Sequence, residues 1–352
     1  MSEVQARLVQ RDGFIDVMRA VLIVLVLVGH HIQFVLHGGS TDFWTDPVFK
    51  FIYIFHMPLF MAVSGYSAGF SLARSTVMTH ARKKSLQLIL PMAVWCAIGL
   101  LPDLLAHPDA VTIARSWVGS FLGSYWFLWA VFFSYIVARA ALYLPLKPWI
   151  SLAMAAAVLI ALPVHTYVYC LTSYLFPFFA AGYLVHVSNH RIAPKTLRLV
   201  VLVPLACAIF VAWGPHTYIY NNRLQIGSLA DAGDVLLMYL GGGVFSLLVL
   251  WALQGVYRAL PRGRAMSGIV QMGQVTLQIY LVQDVYFRIL RQAKIAVDPA
   301  VFWLAVVPVS LLFAGLVTLL VVQTGASRLA PLVWGLARTR KATARPAGPA
   351  AA

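Results

Sequence analysis

The sequence predicts an all-α fold: a polytopic membrane helix bundle of about ten transmembrane helices with both termini in the cytoplasm. Three observations predict it. Of 352 residues, 61% are hydrophobic and 11% charged, where a soluble domain runs near half apolar and a quarter charged. Ten apolar runs approach the roughly 20 residues that cross about 30 Å of hydrocarbon. The basic residues are divided unequally between the loops those runs define, as the positive-inside rule requires.

The runs are 14–36, 48–72, 86–105, 121–144, 149–164, 168–187, 197–213, 234–256, 269–290 and 301–322. Residues 1–13 are then a cytoplasmic amino-terminal tail, 14–322 the membrane domain, and 323–352 a second cytoplasmic tail, largely disordered or lying on anionic headgroups, since from about Ala326 it is rich in Ala, Arg and Pro and has no apolar periodicity beyond Trp334. Of 26 Lys and Arg, 18 fall in the tails and even-numbered loops, and only Arg115, Arg223, Arg291 and Lys294 fall in the opposite loops. The net charge of +15 therefore reads as topology rather than nucleic-acid binding, since no soluble domain offers a basic patch interleaved with aromatics. Cys96, Cys170 and Cys207 lie inside apolar runs without CxxC spacing, which indicates neither disulfides nor a metal site.

The first run is too long for a signal-peptide core and lacks a small-residue cleavage site, so it is expected to stay as a helix. It carries Asp16, Arg19, His30 and His31. Ionisable groups in a span need a partner or a purpose. Arg19 and His30 are eleven apart, three turns, so they share a face about 16 Å apart along the axis. Asp16 and Arg19, three apart, are placed to pair at the inner interface; a histidine here either performs chemistry or simply bonds a neighbouring helix.

The second run contains Phe55-His56-Met57-Pro58 and Ser64-Gly65-Tyr66. Running inward, it sets His56 at a depth similar to His30. Pro58 frees a carbonyl and Gly65 permits close helix approach, which allows a polar cavity or simply a kinked packing contact. Arg82-Lys83-Lys84 before the third run is either a topology signal or a phosphate-binding mouth. The fourth run opens Tyr125-Trp126-Phe127-Leu128-Trp129, for which an interfacial aromatic belt is the default reading. In the seventh-to-eighth connection, 214–233, Asn221, Asn222, Arg223, Gln225 and Asp231 make a loop either solvated or touching a ligand. The ninth run is the most polar: Gln271, Gln274 and Gln278 share one face, Thr276, Tyr280 and Gln283 another, with Asp284 adjacent. Two polar faces cannot both meet lipid, so this helix belongs at the centre or beside a wet cavity.

In order along the chain, IDVMRAVLIVLVLVGHH, FHMPLFMAVSGY, YWFLWAVF and GQVTLQIYLVQ resemble the landmarks of the integral-membrane acyltransferase 3 family, in its fucose-4-O-acetylase-like sugar O-acetyltransferase branch. The resemblance implies a multi-pass protein of the bacterial inner membrane. It would transfer an acyl group, usually acetyl from cytoplasmic acetyl-CoA as donor substrate, to a hydroxyl of a cell-surface glycan or lipid-linked sugar. On that reading Arg19, with Arg82 and Lys84, holds the CoA phosphates. His30 is the base or the acyl carrier, Asp16 orients Arg19, and His56 and Tyr280 polarise the thioester or the acceptor, with Ser64, Gly65, Tyr66 and Trp126 supporting. The chain departs from the family pattern at Gln87, where a second cation is usual, and at Gln283, where a histidine is usual. The competing readings are a transporter or flippase, whose expected repeat symmetry is not visible, and a catalytically silent partner of a polysaccharide assembly complex.

Overall fold

A computed structural model describes residues 13–72, 76–101, 109–189, 196–261, 263–295 and 297–336, and among these it is helical with no strand. The elements are α1 Gly13–His31, α2 Pro47–Ala68, α3 Val77–Lys84, α4 Leu90–Gly99, α5 Ala110–Gly119, α6 Trp126–Ala141, α7 Pro148–Ala161, α8 Tyr167–Val187, α9 Thr196–Ala212, the single turn α10 Ile219–Asn222, α11 Leu229–Ala259, α12 Arg264–Gln274, α13 Thr276–Ala293, α14 Pro299–Thr324 and α15 Ala330–Trp334. Their starts follow from local chemistry. Asp46 accepts from Val48 N at 2.9 Å and Phe49 N at 2.8 Å ahead of Pro47, and Asp298 does the same for Ala300 N at 2.8 Å ahead of Pro299, so each carboxylate satisfies donors a helix start leaves open.

Among the described residues five helices are long and apolar enough to cross a membrane, and six if α5 and α6, bent by 60°, form one broken span. Reaching the expected ten requires counting elements that fall short of that test. The third run opens with a π turn, Ser85–Ile89, before the short α4. The fifth and seventh are 14 and 17 residues long. The ninth run breaks at Val275 (φ −111°, ψ 21°) into α12 and α13, with Gln274 before the break bonded to Asp16 and Gln278 after it bonded to the Trp334 carbonyl.

Small residues set the helix spacing. The backbone at Gly65 of α2 lies against Phe179 of α8, and Gly182 of α8 lies reciprocally against Ala62 of α2. Gly273 of α12 is in the same relation to the backbone of Asp16 on α1. In lipid such close approach supplies the packing that a hydrophobic effect cannot. A side chain at Gly65 meets main chain rather than a flexible tip, so Gly65→Val is expected to cost at least about 1–3 kcal/mol by overpacking. The check is thermal unfolding in detergent, where it should melt several degrees below wild type; an unchanged midpoint would refute the packing role.

Two expectations need correction. Tyr125, Trp126, Phe127 and Leu128 are not an interfacial belt: all are buried, with Tyr125 wholly inaccessible at the α5–α6 bend. The Tyr125 hydroxyl donates to Leu281 O at 2.8 Å, so the aromatics face the bundle rather than headgroups. The carboxy-terminal tail begins later than 323, because Ala330 and Trp334 are buried. Trp334 Nε1 donates to Thr324 Oγ1 at 2.9 Å, Trp95 Nε1 to Val333 O at 2.9 Å, and Gln278 Nε2 to Trp334 O at 2.7 Å. Gly335, at φ +66°, lets the chain turn against the backbone at Gln87; only glycine adopts this conformation freely. Residues 1–12 and 337–352 of the expected tails, and four of the cations counted in the even-numbered loops, Arg74, Arg191, Lys195 and Arg262, lie outside the described residues.

Candidate active site

The last turn of α1 sends its two histidines in different directions. His31 Nδ1 lies 2.8 Å from Leu27 O and 3.2 Å from Ser310 Oγ, and its Nε2 lies 2.9 Å from Tyr286 OH. Those contacts tie α1 to α13 and α14, so His31 is the histidine that bonds neighbouring helices. His30 is half-buried and turns instead onto a cavity of about 250 Å³. Its ring stacks on Phe34 and tilts against Phe287, with centroids 5.6 and 5.3 Å away. Directly after α1 the chain widens into a π turn, Ile32–Leu36, a local distortion frequent at functional sites. That turn returns Gln33 to the cavity, its Oε1 lying 3.4 Å from His30 Nδ1. With Nδ1–H donating to Gln33, Nε2 is left as the unprotonated nitrogen.

The two helix breaks build the opposite walls. The bend at Tyr125 presents Gly123, Ser124 and Trp126, while α13, starting after Val275, presents Tyr280, Gln283 and Asp284. Tyr280 OH lies 3.5 Å from Ser124 O, joining the walls. Gln283 is buried and its Oε1 has no hydrogen-bond partner among the described residues. Arg291, with its guanidinium 4.7 Å from the Phe34 ring centroid, completes the rim. Among the described residues no group of three or more His, Cys, Asp or Glu is placed to hold a metal.

Three turns down α1, the other named residues form a separate polar node. Arg19 Nη2 donates to Ser67 Oγ at 2.6 Å, and Nη1 lies 3.3 Å from Asp16 Oδ1. The second carboxylate oxygen of Asp16 accepts from Gln274 Nε2 at 3.2 Å. α1, α2 and α12 thus hold one guanidinium in one orientation. Lys84 lies 3.9 Å over the ring of Tyr135, whose hydroxyl reaches Ser64 O at 3.5 Å, one turn from Ser67. Arg82 is exposed at the end of α3. His80, on the same helix outside the spans, is pushed down to about 4 by burial and then by the cations Lys84, Lys83 and Arg139. It is therefore neutral near pH 7, and the positive charge at this end belongs to Lys and Arg.

The structure thus gathers His30, Trp126 and Tyr280 at one cavity and Arg19 with Asp16 at another level of the same helix. His56 is not on the cavity wall: it is buried behind Tyr53, ring centroids 4.5 Å apart, with Nδ1 held 2.8 Å from Ile52 O. Ser64 Oγ donates to Phe60 O at 2.9 Å, and Tyr66 packs edge-on to His186, so neither reaches the cavity; Gly65 acts through packing. In the 214–233 connection it is Tyr220, not Asn221, Asn222, Arg223, Gln225 or Asp231, that lines the cavity. Trp44, Tyr53 and Tyr167 do so as well, and sequence reasoning missed them. Their only signal is aromatic abundance just outside or at the ends of spans, shared with any membrane interface.

Comparison with known proteins bears on this arrangement. The family described as Acyltransferase domain matches residues 12–319. A protein named "Nodulation protein NolL" from Sinorhizobium fredii is 35% identical over 289 residues, 79% of each chain. Another of the same name from Mesorhizobium japonicum is 35% identical over 293 residues, covering 80% of this chain and 78% of the relative. No solved structure matches the chain.

Proposed function

The chain belongs to the integral-membrane acyltransferase 3 family, and from that premise we propose that it moves an acyl group, acetyl in the first instance, from acyl-CoA to a hydroxyl of a cell-surface glycan or lipid-linked sugar. The observation that carries this reading is the layout of α1: an oriented guanidinium, Arg19, three turns from an imidazole, His30, that faces an aromatic cavity. The asymmetry of Lys and Arg supports an orientation with Arg19 toward the cytoplasm, where acyl-CoA is made, and His30 toward the outer face.

In this reading Arg19, Lys84 and Arg82 receive the donor's phosphates, and the thioester reaches the level of His30. The acceptor hydroxyl gives its proton to His30 Nε2 as its oxygen attacks the thioester carbonyl. The imidazolium then returns that proton to the departing thiolate. Gln33 keeps the imidazole in the tautomer that the first step needs. Arg19 is positioned by Asp16 and Ser67 before the donor arrives, so little ordering entropy is lost on binding. The preferred setting is a bacterial inner membrane, and polysaccharide assembly proteins are the natural neighbours of an enzyme with such an acceptor.

The test is mass spectrometry of envelope glycans and glycolipids from cells with and without the protein. The expected result is one acetyl mass, on one sugar, present only with the protein. Identical masses under conditions in which the glycan is made would overturn the reading, and loss of the whole glycan from the surface without any acetyl difference would favour a transporter.

A further inference from the structure

Among the cavity groups that the mechanism above leaves unused, two neighbours on α13 stand together. Gln283 is 4% exposed, lines the cavity, and has a carbonyl oxygen without a hydrogen-bond partner among the described residues. Asp284, next along α13, also lines the cavity. One of its oxygens, Oδ2, likewise lacks a hydrogen bond there and lies 3.7 Å from Arg288 Nη2, which donates to Ser120 Oγ at 2.6 Å. Asp284 has Arg288 as an ion-pair partner, but a buried carbonyl without a donor costs about 1–3 kcal/mol, so at Gln283 the site is incomplete as the described residues build it.

The missing partner must bring hydrogen-bond donors and also cover apolar rings, because the same cavity is walled by Trp44, Tyr53 and Trp126. A sugar ring does both: its hydroxyls donate at the edge while its C–H faces rest on aromatics. An acyl chain covers the rings but leaves the Gln283 carbonyl unpaired. At about 250 Å³ the cavity falls below the roughly 300–1,000 Å³ of sites for drug-sized ligands, so it admits one ring rather than an oligosaccharide.

We propose that Gln283, assisted by Asp284, is the specificity-determining subsite of the acceptor: it accepts a hydrogen bond from a hydroxyl that does not react, on a single terminal sugar ring held against Trp44, Tyr53 and Trp126. This rests on the acyl-transfer reading above. Gln283 positions the ring, and the reacting hydroxyl is left for His30.

The test uses the full-length protein in detergent with labelled acetyl-CoA and a panel of methyl hexosides, each paired with its singly deoxygenated analogues. Wild type is expected to prefer one hexoside over one deoxy analogue by at least about 10-fold, since sites built to bond a hydroxyl reject its absence strongly. Gln283→Met, of similar volume and without the acceptor, is expected to lose that preference and raise the KM for the hexoside about 10-fold, with the KM for acetyl-CoA unchanged. Gln283→Glu, which keeps an acceptor oxygen, should restore part of the preference. A Gln283→Met protein that discriminates as wild type does would overturn the subsite while leaving acyl transfer standing, and so would cells in which it acetylates the same glycans in the same amounts. If wild type acetylates neither the hexosides nor any cell glycan, the acyl-transfer reading itself fails, and this inference with it.

Discussion

His30→Ala is expected to lower acyl transfer by about 10²–10⁴-fold while leaving a protein that inserts, purifies and melts as wild type does. The separation of the two effects follows from the geometry. The His30 side chain makes its polar contact with Gln33 in the adjoining turn, and its ring contacts are with Phe34 and Phe287 on the cavity side. His31→Ala should behave in the opposite way. It removes the bridge from α1 to Tyr286 and Ser310, leaving buried hydroxyls short of a partner at about 1–3 kcal/mol. Thermal unfolding in detergent and product formation, measured on both variants, separate the roles. Near-normal turnover by His30→Ala would remove it from the chemistry.

Arg19→Ala carries the second large effect, expected on the donor rather than the acceptor. An arginine bonded to Asp16 and Ser67 is held in one orientation, with its guanidinium fork fixed. Hydrogen bonds to charged groups contribute about 1.5–3 kcal/mol each, so the KM for acetyl-CoA should rise on the order of 10- to 100-fold with that for the acceptor hardly changed. Arg19→Lys should recover only part, because an ammonium keeps the charge but not the fork. Asp16→Asn should give a smaller shift of the same kind, since Gln274 and Ser67 still hold the node. Equal effects on donor and acceptor KM would instead indicate general loss of structure. His80 supplies no compensating charge, since its pKa of about 4 keeps it neutral throughout pH 6–8, and the donor KM should be insensitive to its titration across that range.

How much of this was legible in the residues depends on how local each feature is. The eleven-residue spacing of Arg19 and His30 is a property of one helix, and the structure places both at polar sites along α1. The polar ninth run was read as central or beside a wet cavity, and α13 supplies Tyr280, Gln283 and Asp284 to that cavity. Helix periodicity alone does not say which of the adjacent histidines faces it, because a rotation of about 100° separates consecutive residues and only neighbouring helices fix the phase; the choice of His30 comes from the family resemblance. The breaks at Tyr125 and Val275 were equally hidden. Neither position is Gly or Pro, and each is stabilised by contacts far away in sequence, such as Tyr125 to Leu281 across 156 residues. His56 looked equivalent to His30 by depth alone, yet an intervening Tyr53 ring, admitted beside Gly29 of α1, sets it behind the wall.

The docking of Val333 and Trp334 also bears on how the protein is made. Trp95 and Gln278 donate to the carbonyls of those two residues, which follow them in the chain by 238 and 56 residues. Until those residues are in place an indole N–H and an amide have no native acceptor, in a medium without water to replace it. Closure of this part of the bundle thus waits for Val333 and Trp334, and a chain that lacks them leaves both donors open.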